Sequence, residues 1–230
     1  MKKAFLLLFV FAATTAFAQN KKLSIGAAVM PLWSDFLIVN KGPTFDDILA
    51  DERKRNIGVP GFNTHVFGES QVNKWLTLRI GLGYSQTGVQ ESKLSELTWP
   101  SPGPNNPNAL QYELVCQDIS VPVTLKLRPK KIPGCYGLVG FATWVSLSRT
   151  QKRTFWYPDG RKETIKRVPT DSFQKFNSNL TLGFGYDVRL YSKVHLFFEP
   201  VITCNAWYIT QDATFGFLTF TAGLNTGVRF

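Results

Sequence analysis

The chain has 230 residues, a net charge of +10, 44% hydrophobic and 14% aromatic residues, but only 18% charged residues. That balance excludes collagen-like and intrinsically disordered chains. It leaves unsettled where so many apolar and aromatic side chains go. The three cysteines cannot all pair and lack zinc-site spacing.

Residues 1–18 read as a secretory signal peptide. Lys2 and Lys3 form a positive n-region, Ala4 to Ala13 an apolar h-region, and Ala16-Phe17-Ala18 an A-x-A cleavage site. Cleavage after Ala18 is expected, leaving 19–230 as one domain. No Cys follows the site, which argues against lipoprotein processing. Beyond the signal no apolar run reaches the ~18 residues of a membrane helix. An exported chain of this kind either stays soluble or enters a membrane as a closed barrel.

Eight segments with a period of two follow in order: about 22–32, 58–71, 75–89, 110–128, 134–149, 174–191, 194–208 and 216–230. In the third, Leu76, Leu78, Ile80, Leu82 and Tyr84 oppose Thr77, Arg79, Gly81, Gly83 and Ser85. In the sixth, Leu180, Leu182, Phe184, Tyr186 and Val188 oppose Asn179, Thr181, Gly183, Gly185 and Asp187. The second and fifth segments alternate poorly. Several segments exceed the ~9–11 residues that a membrane-crossing strand needs. The gaps between segments alternate long and short, as the outer loops and periplasmic turns of an outer-membrane barrel do. The prediction is an all-β, eight-stranded, up-and-down antiparallel transmembrane β-barrel with both ends of the barrel chain at the periplasmic rim.

The face opposite the apolar one carries Arg79, Lys126, Arg128, Asp187, Arg189, Glu199 and Arg229. A charge facing lipid at the midplane costs roughly 2–4 kcal/mol, so these belong in the lumen. A soluble lipid carrier would need that face to be apolar. Eight strands leave an interior that side chains fill. The expected lumen is therefore a packed ion-pair network of Arg79, Lys126, Asp187, Arg189, Glu199 and Arg229, with Glu199 and Asp187 partnering the arginines. Tyr84, Trp207 and Tyr208 fall near outer strand ends, and Trp75, Tyr136, Tyr191 and Phe230 near inner ends. They are expected in the interfacial aromatic girdles.

Several short stretches stand out: Leu82-Gly83-Tyr84-Ser85-Gln86-Thr87-Gly88, Ile119-Ser120-Val121-Pro122-Val123-Thr124-Leu125-Lys126, Tyr136-Gly137-Leu138-Val139-Gly140 and Phe198-Glu199-Pro200, with a terminal Phe230. Together they resemble the PorT-like outer-membrane β-barrel family of Bacteroidota. Their order and spacing cover about 22–230. The resemblance implies an eight-stranded outer-membrane barrel and no single activity. The glycines at 223 and 227 depart from the expected terminal pattern.

No catalytic, cofactor-binding or metal-binding set is read. The only histidines, His65 and His195, lack an evident nucleophile and orienting group. Cys116 and Cys135 lie roughly 36 Å apart along neighbouring strands, too far for a disulfide. Cys204 has lipid-facing parity. The first long gap carries Asp46, Asp47, Asp51 and Glu52 before Arg53-Lys54-Arg55, and the second is rich in Pro and Asn around 100–107. The third, Arg149 to Phe173, holds an aromatic run before a Pro158-Asp159-Gly160 turn, a hairpin signal. It is net cationic. Trp156, Tyr157, Arg161, Lys162, Lys166 and Arg167 are its candidate interaction residues. The expected function is a structural or interaction role through such loops. The expected partners are outer-membrane lipid and lipopolysaccharide, whose phosphates Arg and Lys bind, or another envelope protein, and no nucleic acid. The alternatives are a lipid A-modifying enzyme or a narrow channel.

Overall fold

The computed structural model describes residues 23–40, 56–91, 106–167, 174–207 and 215–230. The segment expected to be a signal peptide, the acidic and basic stretch of the first gap, most of the Pro/Asn-rich second gap and Tyr208 lie outside the described residues. Among the described residues nine strands occur: β1 Leu23–Asn40, β2 Asn56–Gln71, β3 Leu76–Glu91, β4 Ala109–Leu127, β5 Cys135–Trp156, β6 Lys162–Arg167, β7 Phe176–Arg189, β8 His195–Asn205 and β9 Phe215–Arg229. Eight of them form a ring in the order β1-β2-β3-β4-β5-β7-β8-β9, closed by antiparallel pairing of β9 with β1. Closure removes every sheet edge from the lipid, the condition for crossing a bilayer with strands. The short strand β6 stands outside the ring, on the free upper part of β5.

The sequence alternation becomes the two faces of the wall. Ile25, Val66, Leu82, Val121, Val139, Leu182 and Ile202 are exposed on the outside. Ser34, Glu69, Arg79, Ser120, Lys126, Glu199 and Asn225 are buried inside. This is the arrangement of a lipid-facing barrel with a polar interior.

Two bulges explain the two segments that alternate poorly. In β2 the register with β3 slips between Gly58 and Phe62, where Pro60 and Gly61 sit. Inside this bulge, β1 reaches past β2 to β3: the Ser34 hydroxyl donates to the Gly88 carbonyl at 2.7 Å and accepts from the Gly88 amide at 2.9 Å. In β5 the register with β4 slips between Gln117 and Asp118, so Leu147 is the extra residue. Below it Leu138 and Trp144 are buried inside; above it the buried side chain is Arg149. One additional residue flips the inward parity from even to odd. Strand β5 then runs on to Trp156, well past the 149 expected from alternation.

The short connections at one end of the ring are tight. Gly134, with φ of +83°, turns the chain into β5. Gly185 lets the Tyr136 ring lie flat against the β7 backbone, since a Cβ there would meet that ring at 2.5 Å. Outward aromatics mark both rims: Trp75, Tyr191 and Phe230 at the turn end and Trp207 at the loop end are all exposed.

Candidate functional site

The lower lumen is built from side chains of seven of the eight ring strands. Glu69 of β2 accepts from Arg79 Nε at 2.7 Å, Lys126 Nζ at 2.6 Å and Arg229 Nη1 at 2.6 Å. Glu199 of β8 accepts from Arg79 Nη1 at 2.8 Å, Lys126 Nζ at 3.1 Å, the Tyr136 hydroxyl at 2.7 Å and Asn225 Nδ2 at 2.6 Å. Asp187 of β7 joins Arg229 at 3.2 Å and Arg128, just past β4, at 2.6 Å. The Arg79 guanidinium also lies 4.2 Å from the Phe67 ring centre and 4.6 Å from that of Phe197. Buried charges persist only when paired and hydrogen-bonded, and each carboxylate here has at least two cationic partners. Lys126 is 0% exposed and Glu199 1%. The paired charges thus form a buried ionic plug in the lower lumen.

Above the plug lies a cavity of about 120 Å³. Its floor is Arg79, Glu199 and Asn225, and its roof is Asp118, Trp144 and Arg149. Arg149 Nη1 meets Asp118 Oδ1 at 2.7 Å. The space is roomy and polar enough to hold water. Among the described residues, no three His, Cys, Asp or Glu side chains gather as a metal site.

The second candidate site rises from the rim. Strands β4 and β5 stay paired up to Ala109 and Trp156, and β6 pairs with β5 from Trp156–Lys162 down to Gln151–Arg167. The result is a three-stranded sheet standing beyond the ring. The Tyr157-Pro158-Asp159-Gly160 turn makes its tip. Pro158 sets one backbone angle, Gly160 supplies φ of +84°, and its amide donates to the Tyr157 carbonyl at 3.0 Å. Tyr157 donates to Glu163 at 2.9 Å, which raises its phenol pKa, and Arg161 stacks 4.0 Å from its ring centre.

Of the predicted lumen set, Arg79, Lys126, Asp187, Glu199 and Arg229 come together. Arg189 does not. It lies at the exposed end of β7, past the last lumen layer, and donates to the turn carbonyls of Tyr191 at 3.3 Å and Ser192 at 3.2 Å. Tyr136, expected in the inner girdle, is buried in the lumen, because its parity in β5 is that of inward Leu138. Sequence reasoning missed Glu69, the partner of three cations. The β2 bulge and outward Thr64 obscured the alternation that would have placed it on the His65 and Phe67 face. Of the predicted surface set, Trp156, Tyr157, Arg161, Lys162 and Lys166 lie on the protruding sheet or its tip, and Arg167 pairs with Gln151 at its base. All three cysteines are free thiols, and Cys204 is exposed on the outer wall.

Among solved structures, the chain is similar to Neisserial surface protein A (NspA), at 12% identity over 90% of this chain and 95% of that one, with a TM-score of 0.39. It is also similar to Ail, the attachment invasion locus protein of Yersinia pestis, in complex with the heparin analogue sucrose octasulfate. That match has 13% identity over 91% and 99%, with a TM-score of 0.37. A third similarity is to the outer membrane protease OmpT from Escherichia coli, at 9% identity over 92% and 97%, with a TM-score of 0.37. No curated protein matches the sequence. Residues 17–205 match the outer membrane protein beta-barrel domain; the chain belongs to that family, and its closed, apolar-walled ring resides in the outer membrane.

Proposed function

We propose that this barrel is a non-catalytic surface-interaction protein, held in the membrane by a plugged ring and engaging anionic partners through its protruding β4–β5–β6 sheet. One observation carries the reading: the sheet gathers Lys152, Arg153, Arg161, Lys162 and Lys166 against Glu113, Asp159 and Glu163, with Trp156 and Tyr157 among them. Cationic and aromatic side chains in this mixture suit phosphate-bearing surfaces. Lipopolysaccharide phosphates are the nearest such groups outside an outer-membrane barrel.

The non-catalytic reading is supported by the two histidines. His65 faces the lumen beside the Phe67 ring, at 5.6 Å between centres, and His195 opens β8 at the periplasmic rim. The plug argues against a channel. An A-x-A motif ending at Ala18 supports cleavage there and export. Membership among PorT-like barrels of Bacteroidota is supported by Leu82–Gly88 at the upper end of β3, Ile119–Lys126 in β4, Tyr136–Gly140 opening β5 and Phe198–Pro200 in β8.

The test is titration of the detergent-solubilised protein with purified lipopolysaccharide. The combined variant Arg153→Glu, Arg161→Glu, Lys162→Glu and Lys166→Glu should bind at least about tenfold more weakly. Unchanged affinity would refute the reading.

A further inference from the structure

The protruding sheet has two chemically different faces, and the barrel wall dictates which way each looks. Above the Leu147 bulge, Arg149 points inward to Asp118. On that same inward face Arg153 lies 5.3 Å from the Tyr112 ring centre. Tyr157, Glu163 and Arg161 hold one another there as well. The opposite face continues the outer, lipid-facing wall. It begins where exposed Ile119 and Leu147 give way to Gln117 and Ser148, hydrogen-bonded at 3.2 Å.

On this outward face the register forms a grid. The lowest row is Glu113, Lys152 and Lys166; the next is Gln111, Thr154 and Thr164; the top row is Ala109, Trp156 and Lys162. Side-chain contacts confirm the shared face: Lys152 meets Glu113 at 2.8 Å, Thr154 meets Thr164 at 3.3 Å, and Lys162 lies 5.2 Å from the Trp156 ring centre. Lys152 and Lys166 are direct cross-strand partners. Like charges so placed repel, which sheets ordinarily avoid. Glu113 offsets one of them. The face remains net positive, with exposed Lys162 and Lys166 about 13 Å apart along the edge strand.

We infer that this outward face binds the phosphorylated sugar headgroup of a glycolipid in the same leaflet, seated sideways against the barrel. The inference rests on the surface-interaction reading and narrows it to one face and one ligand. Continuity with the lipid wall decides the occupant. The grid rises directly from the apolar band, at the level where the headgroups of the surrounding lipid must lie. Lysine stems can bend back toward that boundary. A phosphate between Lys152 and Lys166 relieves their repulsion. A second phosphate, at the far end of a disaccharide headgroup, lies within reach of Lys162, and the threonine hydroxyls offer hydrogen bonds to the sugars between. A soluble partner approaching from above would meet the tip and the inward arginines instead.

The experiment is native mass spectrometry of the full-length barrel. It would be released from nanodiscs of phosphatidylcholine doped equally with bisphosphorylated lipid A and its dephosphorylated form. The wild type should retain the bisphosphorylated form preferentially. Lys162→Glu with Lys166→Glu should lower that retention roughly thirtyfold, while Lys130→Glu with Lys131→Glu, on the exposed turn between β4 and β5 at the opposite rim, should leave it near the wild-type level. The gel shift of unboiled against boiled protein shows that each variant is folded. Equal retention by the Lys162/Lys166 variant and the wild type would overturn the inference. So would a loss of the same size in the Lys130/Lys131 variant. Either result would leave the broader reading standing if the fourfold variant still loses lipopolysaccharide. Absence of any phosphate preference in the wild type would overturn the inference too, and unchanged lipopolysaccharide affinity of the fourfold variant would remove the broader reading with it.

Discussion

Glu199 accepts from Arg79, Lys126, Tyr136 and Asn225 at once. Glu199→Gln keeps the shape but leaves two buried cations short of a counter-charge. Breaking a buried pair typically costs about 3–5 kcal/mol. The urea midpoint of the barrel in detergent should fall accordingly, whereas Arg189→Ala, on the exposed turn, should change stability by less than about 0.5 kcal/mol. Equal effects of the two would contradict the plug. Most of this chemistry was legible in the sequence, because Arg79, Lys126, Asp187, Glu199 and Arg229 share the polar parity of cleanly alternating strands. Parity alone could not say how far up the lumen a residue sits. That is why Arg189, with the right parity at the wrong height, was grouped with the others.

At the level of strands, what alternation hid is explained by single extra residues. The Leu147 bulge scrambles the pattern of β5 without weakening its pairing, so the strand runs on to Trp156. The Pro-Asp-Gly turn was readable from local backbone preferences. The strand flanking it was not, since Lys162–Arg167 has only Thr164 and Ile165 as β-formers among charges. The hairpin tip carries its own test. Tyr157 donates to Glu163, which raises the phenol above its ordinary value of 10.0. A raised value means the contact is fully present below pH ~10 and is lost as pH climbs through the folded value. Ultraviolet titration should therefore show a late-ionising tyrosine that disappears in Tyr157→Phe. In Glu163→Gln it should ionise earlier; no change in that variant would count against the contact.

For the whole barrel, ring closure and the plug make one joint prediction. Unboiled protein should migrate differently from boiled protein in SDS gels, and the reconstituted barrel should carry no sustained current across a planar bilayer. A steady conductance would show that the lower lumen is open. The plug also bears on how the barrel comes to exist. Its members lie far apart in the chain: Glu69 and Arg229 are 160 positions apart, and Arg79 and Glu199 are 120. A partly assembled sheet, lacking β8 and β9, would present Arg79, Lys126 and Glu69 on an open concave surface with Glu199 and Arg229 missing. In hydrocarbon such an intermediate is costly. Insertion of this barrel should accordingly proceed with the lumen sheltered until the last strand docks, and the ionic core would act as a proofreading step in which only a fully wrapped wall can settle into lipid.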